Sequence, residues 1–333
     1  MKIVRQLEHS VWSKFVGSHP QGNIFHTPEM YEVFSKTFGY SPGLWAAVED
    51  DRVFALMLPV EVTLYSWLRR FTSRAIVYGG ILCDPSPEGQ EGLSGLLAHY
   101  KKESRHQGVF TEIRNISDTS SFQSIFRKNT FVYEDHLNYL IDLSRTPDEI
   151  IGSFHKRTRK HIMRGLRKGQ LTIETVKEKD QLAECYDLLV RTYQLANVPV
   201  AHRTLFESAF DVLSSKEMVK FYLGYVDEIP VATSIELFYK DVIYGWYGGM
   251  DRSYAAYVPN ELLMWHILKW GSENNYRTYD FGGAGKPDED YGVRDFKAKF
   301  NGDLVNFGRN VWVSQPTIFH VSRTGYQFLR RFL

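Results

Sequence analysis

The chain has only two cysteines in 333 residues, Cys83 and Cys185, far apart and each in an apolar setting. Too few for a disulfide framework or a cysteine-rich metal site, they read as buried thiols of a reducing compartment. No apolar run approaches the ~20 residues that a membrane-spanning helix needs. The start, Met1 to Trp12, lacks the apolar core and cleavage site of a signal peptide. A cytoplasmic location is the expectation. An excess of charge of either sign is absent too, since 40 Lys and Arg stand against 39 Asp and Glu, so a charged partner must be met by a local patch. There is no Gly-x-Ser-x-Gly elbow, no His-Glu-x-x-His and no Cys-x-x-Cys, and with them go the usual signatures of serine-hydrolase, zinc-protease and dithiol chemistry. No metal is expected. Gly282-Gly283-Ala284-Gly285-Lys286 falls short of a nucleotide-binding P-loop, because Pro287 stands in place of the magnesium-binding Ser or Thr and Asp280 in place of the first glycine.

What is present is material for two cores, at a length beyond what one core usually organises. An echo divides the chain. Ala75 to Gly80 (AIVYGG) reads as a buried strand ending in Gly-Gly and leads through a helical stretch to the strand Phe110 to Ile116; Tyr244 to Gly249 (YGWYGG) leads through Pro259 to Asn274 to the strand Thr278 to Phe281. Similar signals at similar spacing predict one lobe used twice. Thr27-Pro28-Glu29 and Thr146-Pro147-Asp148-Glu149 are helix starts with Thr as N-cap and Pro at the first helical position. The second helix is expected to run toward Lys168 and end at Gly169. The lobes are therefore drawn as 1–145 and 146–315. The tail 316–333, with Arg323, Arg330 and Arg331 among aromatics, is expected as a terminal helix docked on the first lobe, with contact to a membrane surface as the alternative.

Lobe two reads as strand Leu171 to Lys177, helices Lys179 to Leu195 and Thr204 to Leu213, strands Lys220 to Val226, Val231 to Tyr239 and Val242 to Tyr247, then helix, strand, helix, strand. That order is the GNAT acyltransferase pattern, an α/β fold in which a mixed, mostly antiparallel sheet is flanked by helices.

Two stretches carry chemistry. His155 to Lys168 holds seven cations, Lys156, Arg157, Arg159, Lys160, Arg164, Arg167 and Lys168, and no acid, with Ile151, Phe154, Ile162 and Leu166 as its apolar side. Such density suits a polyanion, tRNA or a pyrophosphate-bearing substrate, and equally a merely solvated basic face. Tyr279-Asp280-Phe281-Gly282-Gly283 delivers an acid to a glycine-rich turn, and the segment from Tyr291 to Gly302 carries Arg294, Lys297 and Lys299. Aromatics crowd the preceding region. Strand alternation there sends Tyr247, with Tyr257, toward a cleft and Trp246 into the core.

The Tyr-Asp-Phe-Gly-Gly strand, Phe296-Lys297 with Phe300 and Gly302, the aromatic helix start at Phe25 to Phe34 and the basic helix resemble the FemABX family of non-ribosomal peptidyltransferases. The resemblance implies tandem GNAT lobes that transfer an amino acid from aminoacyl-tRNA to an amine of a cell-envelope precursor, without a required cofactor. It implies Lys297 facing the donor's phosphates or the reacting carbonyl, and Asp84 orienting or deprotonating the amine. Asp84-Pro85 also reads as an ordinary turn. Two departures stand out. The family's lysine on the early helix is Phe34 here, with Lys36 on another face, and Thr192-Tyr193-Gln194 lacks the arginine of a phosphate-binding Thr-x-Arg element. Acyl-CoA is the alternative donor, disfavoured because Asp251 to Asn260 has no glycine for its pyrophosphate; a non-catalytic binding protein is the third reading.

Overall fold

The computed structural model describes residues 1–63, 73–105 and 108–319. The chain forms two compact units, one of residues 1–135 and 307–333 and the other of residues 136–306. The expected division differs at both edges. Leu137–Asp142 hydrogen-bonds into the second unit's sheet, so that unit begins before Thr146, and Arg309–Val313 pairs with strands of the first.

In the first unit, β1 (Lys2–Val4), β3 (Trp45–Glu49), β4 (Arg52–Met57) and β7 (Leu82–Cys83) make one sheet. A second has the order β2 (Tyr40–Pro42), β5 (Pro59–Val62), β6 (Arg74–Val77), β8 (Phe110–Arg114), β17 (Arg309–Val313) and β9 (Val132–Glu134). Helices α1 (His9–Ser18), α2 (Pro28–Lys36), α3 (Pro87–Ser104) and α4 (Gln123–Lys128) cover them. Thr27 caps α2 as read from sequence, its Oγ1 accepting from Met30 N at 3.1 Å. The core gathers Trp45, Met57, Val77, Leu96, Tyr100, Ile113, Phe126 and Trp312. Of the tail, 316–319 is helical and Phe319 packs edge-on against Phe110 at 5.4 Å; Arg323, Arg330 and Arg331 lie outside the described residues.

The second unit is one sheet in the order β11 (Thr172–Thr175), β12 (Val219–Val226), β13 (Ile229–Tyr239), β14 (Val242–Met250), β15 (Thr278–Asp280), β10 (Leu137–Asp142), β16 (Asp303–Asn306). Its helices are α5 (Pro147–Ser153), α6 (Lys156–Lys168), α7 (Leu182–Leu195), α8 (Arg203–Leu213), α9 (Pro259–Glu273) and α10 (Gly292–Ala298). Among the described residues all sheet pairs are antiparallel save β6 with β8 and β14 with β15, both joined by a crossover helix. The echo in sequence is this shared unit. Its glycines serve differently, however: Gly79 and Gly80 turn the chain at φ +75° and +84°, whereas Gly248 and Gly249 lie within β14.

Thr146 closes the expected capping box with Glu149, but the helix it opens stops at Ser153. His155, at φ −50° and ψ 135°, breaks the run, and α6 is a separate helix ended by Gly169 at φ +60°. The buried side of α6 differs from the expected stripe as well: Thr158 and Ile162 are buried, Gly165 abuts Leu262 of α9, and Leu166 stands half exposed.

Candidate active site

β14 and β15 run parallel through Val242↔Thr278, Ile243↔Tyr279 and Tyr244↔Asp280, then part. β14 continues to Met250, while the chain after Asp280 swings to β10, with Phe281 N donating to Tyr139 O at 3.1 Å and Leu137 N to Gly285 O at 2.9 Å. On this side β14 has no strand neighbour from Gly245 onward among the described residues, and at Met250 its backbone bonds the Thr192 hydroxyl instead. Glycine is obligatory at the fork. Gly282 sits at φ +77°, and a Cβ there would lie 2.6 Å from Gly245 O.

A β-bulge lies at the same place, since Glu236 faces Gly245 and Ile235 faces Tyr247, with Trp246 unpaired between them. The bulge cancels the strand's alternation. Trp246 is therefore not core as expected: it is half-buried, and both it and Tyr247 pack on Phe206, at 6.0 and 4.8 Å between ring centroids. Tyr193 completes this aromatic wall beside Tyr247. Tyr257 stands apart in the turn Arg252–Tyr257, near Tyr254.

At the fork three ionisable groups meet. Lys297 of α10 reaches inward: its stem keeps some exposure, but its ammonium is enclosed and donates to Phe281 O at 2.6 Å and to Gly283 O. Two of its three N–H donors are so used, and the third has no partner among the described residues. Burial lowers Lys297 to about 8, against the nearby charges of Asp280 and Glu236, which raise it. At neutral pH it is still mostly a cation. Asp280, 3% exposed, accepts from Asn138 Nδ2 and Gly282 N, both at 2.7 Å; burial raises it, and those bonds and Lys297 oppose the rise. Asn138 Oδ1 in turn accepts from Gly283 N at 2.9 Å. Asp280 and Asn138 thereby fix the turn whose carbonyls hold the ammonium.

Glu236, fully buried on β13, is the third group. Its Oε1 accepts from Ser234 Oγ, and its Oε2 has no hydrogen-bond partner among the described residues. Burial pushes this carboxyl up to about 7, against Ser234, the Tyr279 hydroxyl and the charge of Lys297. Glu236 and Asn138 escaped the sequence reading. For Glu236 a signal existed, an acid inside the otherwise apolar strand Val231 to Tyr239; Asn138 lies far off in sequence and is brought in by β10.

The other expected residues divide. Arg294 clasps the 284–290 loop, donating to Ala284 O at 2.8 Å, Glu289 O at 2.9 Å, Pro287 O at 3.3 Å and Lys286 O. Lys299 pairs with Glu261 at 3.2 Å. Asp84 belongs to the first unit, where its Oδ1 accepts from Ser86 N at 3.0 Å and its Oδ2 pairs with Arg52 at 2.7 Å; these partners, the Ser86 backbone first, lower its pKa and leave it a weak base. Phe34 stacks on Tyr78, and Lys36 pairs with Glu32 at 2.6 Å. Thr192 is bound by Leu188 O and Met250 N. Lys156, Arg157, Arg159, Lys160 and Arg164 are exposed on α6, none within salt-bridge distance of a carboxylate among the described residues. No group of His, Cys, Asp or Glu among the described residues is arranged to hold a metal.

A sheet whose two parallel strands part beside a crossover helix is the GNAT fold, and the acetyltransferase (GNAT) domain family model matches residues 152–297. FemX, a solved structure, superposes with a TM-score of 0.74 at 15% identity, over 96% of this chain and 99% of its own. A tandem GNAT protein from the clavulanic acid biosynthesis pathway gives 0.61 at 10% identity, over 94% and 98%. A lipid II:glycine glycyltransferase of Staphylococcus haemolyticus is 28% identical over 85 residues, 24% of this chain and a fifth of that protein's length. Residues 152–297 are thus a GNAT domain by sequence, and the chain shares its fold with FemX and with the tandem GNAT protein.

Proposed function

We propose that the protein transfers an aminoacyl or acyl group to an amine, with aminoacyl-tRNA as donor and a cell-envelope precursor as acceptor. The observation that carries this is the Lys297 ammonium, enclosed at the fork where β14 and β15 part, with a third donor that has no partner among the described residues. A neutral amine attacks the donor's carbonyl carbon, the C–N bond forms as the carbonyl π pair moves onto oxygen, and Lys297 stabilises that oxyanion. On collapse the C–O or C–S bond to the donor breaks, the leaving atom takes the pair, and the amine's proton passes to a carboxylate or water. The resemblance to a lipid II:glycine glycyltransferase over a shared stretch supports an aminoacyl group and a cell-envelope acceptor, and the tRNA donor rests on the FemABX-like motifs of the sequence.

The second reading, an acyl-CoA-dependent N-acyltransferase, has an observation of its own. Val258, before the N-terminus of α9, adopts φ +51° and ψ 45°, the left-handed conformation glycine usually supplies in a phosphate loop. A transfer assay separates the two: purified protein is given radiolabelled aminoacyl-tRNA or acetyl-CoA, with a pentapeptide-bearing lipid-linked precursor as acceptor. Product from charged tRNA alone is the expected result. Product from acetyl-CoA alone moves the protein to the second reading.

A further inference from the structure

α6 exposes more than charge. Its seven cations have no carboxylate within salt-bridge distance among the described residues, and only two of them spend a bond on the protein, Arg159 on Gly152 O and Arg167 on Met163 O. Among them stand two apolar side chains, Met163 at 46% and Leu166 at 50% exposure. The inward side is already occupied by Thr158, Ile162 and Gly165, so these two are not a misplaced core stripe. On a helix surface the neighbours of residue i lie at i±3 and i±4, which for Met163 are Arg159, Lys160, Leu166 and Arg167. Met163 is thus bordered by three cations, and Leu166, whose own neighbours are Ile162, Met163, Gly169 and Gln170, extends the exposed apolar surface along the flank of the basic face.

A nucleic-acid backbone asks for cations alone, since phosphates and counterion release supply the affinity. Exposed Met and Leu gain nothing there and cost solvation. An anionic lipid surface uses both: cations settle at the headgroup phosphates, and apolar side chains between them enter the boundary with the acyl chains. We infer that the outward face of α6 docks the protein on an anionic membrane surface, through Lys160, Arg164 and Arg167 at the headgroups and Met163 and Leu166 below them. The inference does not depend on the proposed chemistry.

The test is flotation of the full chain with vesicles of phosphatidylcholine, with and without phosphatidylglycerol. Binding is expected only to the anionic vesicles, weakening with salt. Met163→Ser with Leu166→Ser should lower vesicle affinity roughly tenfold while leaving any retention on immobilised tRNA unchanged. Lys160→Glu with Arg164→Glu should lose vesicle binding by a larger factor, at roughly fivefold per cation. All four side chains are exposed, and an unchanged unfolding temperature verifies that the variants fold. Equal binding to both vesicle types, or full vesicle binding by the Met163→Ser, Leu166→Ser protein, overturns the inference; binding to tRNA but not to anionic vesicles makes the face a nucleic-acid surface instead.

Discussion

An ammonium enclosed between two carbonyls loses water it would otherwise keep, and Lys297 retains its charge near neutrality because Asp280 and Glu236 lie close by. Removing it leaves those acids without a cation, so Lys297→Ala should slow transfer by on the order of a hundredfold, about 3 kcal/mol, and should also lower the unfolding temperature. Lys299→Ala breaks the partly exposed pair with Glu261 and a cation–π contact with Phe296 and should change neither by much; single-turnover rates and thermal melts of both variants check this, and a wild-type rate in Lys297→Ala would remove the lysine from the chemistry. The pH dependence follows. Lys297 is a cation below about 8, so its contribution to the rate is present at neutral pH and fades above that value. Glu236 holds its proton to about 7 when folded but only to the ordinary carboxyl value of 4.5 when unfolded. Between those values the folded state binds the extra proton, so this group's contribution to stability falls as pH rises through the window. Glu236→Gln removes that loss, and its stability relative to wild type should grow from pH 4.5 to pH 7 by on the order of a few kcal/mol. Urea melts across the range would show no such trend if Glu236 were ionised throughout.

At the scale of elements, the two Gly-Gly pairs differ in what they demand, and so do the fork glycines. Gly282 combines a positive φ with a carbonyl where a Cβ would go, whereas Gly248 has an ordinary φ and nothing nearer than 3.6 Å to its Cβ position. Gly282→Ala should destabilise by roughly 2–3 kcal/mol, and Gly248→Ala by less than a third of that, measured by denaturant melts; equal effects would mean the fork is not as tight as its geometry. Much at this scale could be read from the chain. The Thr146 capping box, the Thr27 cap, the Gly169 stop and the two strands β14 and β15, though not their parallel pairing, are short-range signals, each set by residues within a few positions or by runs of apolar side chains. The break at His155 and the bulge at Trp246 were not legible, because both depend on what packs against the segment. The candidate site was read in part for the same reason: Asp280, Gly282, Gly283 and Lys297 lie close in sequence, while Asn138 and Glu236 come from other strands.

At the scale of the molecule, the second unit interrupts the first between β9 and β17, which are hydrogen-bonded neighbours with Glu134 opposite Arg309. β17 is internal to the first unit's sheet, flanked by β8 and β9. It brings Trp312 against Tyr100 and Phe131 and the buried Asn310, which bonds Asn115 and Gln123 at 2.9 and 2.8 Å. A fragment of residues 1–135 lacks all of this and leaves two strand edges and a core aromatic unfilled, so it should not fold. The same pairing offers a remedy. Joining Asp135 directly to Phe307 leaves Asp135, Phe307 and Gly308 between the paired residues Glu134 and Arg309, a three-residue hairpin loop with glycine at its left-handed position, and Gly308 already has φ +65°. A chain of residues 1–135 fused in this way to 307–333 should therefore melt cooperatively and give dispersed amide resonances. If the 1–135 fragment folds equally well, β17 is dispensable; if the fused chain also fails, the first unit depends on the second in a way its own hydrogen bonds do not reveal.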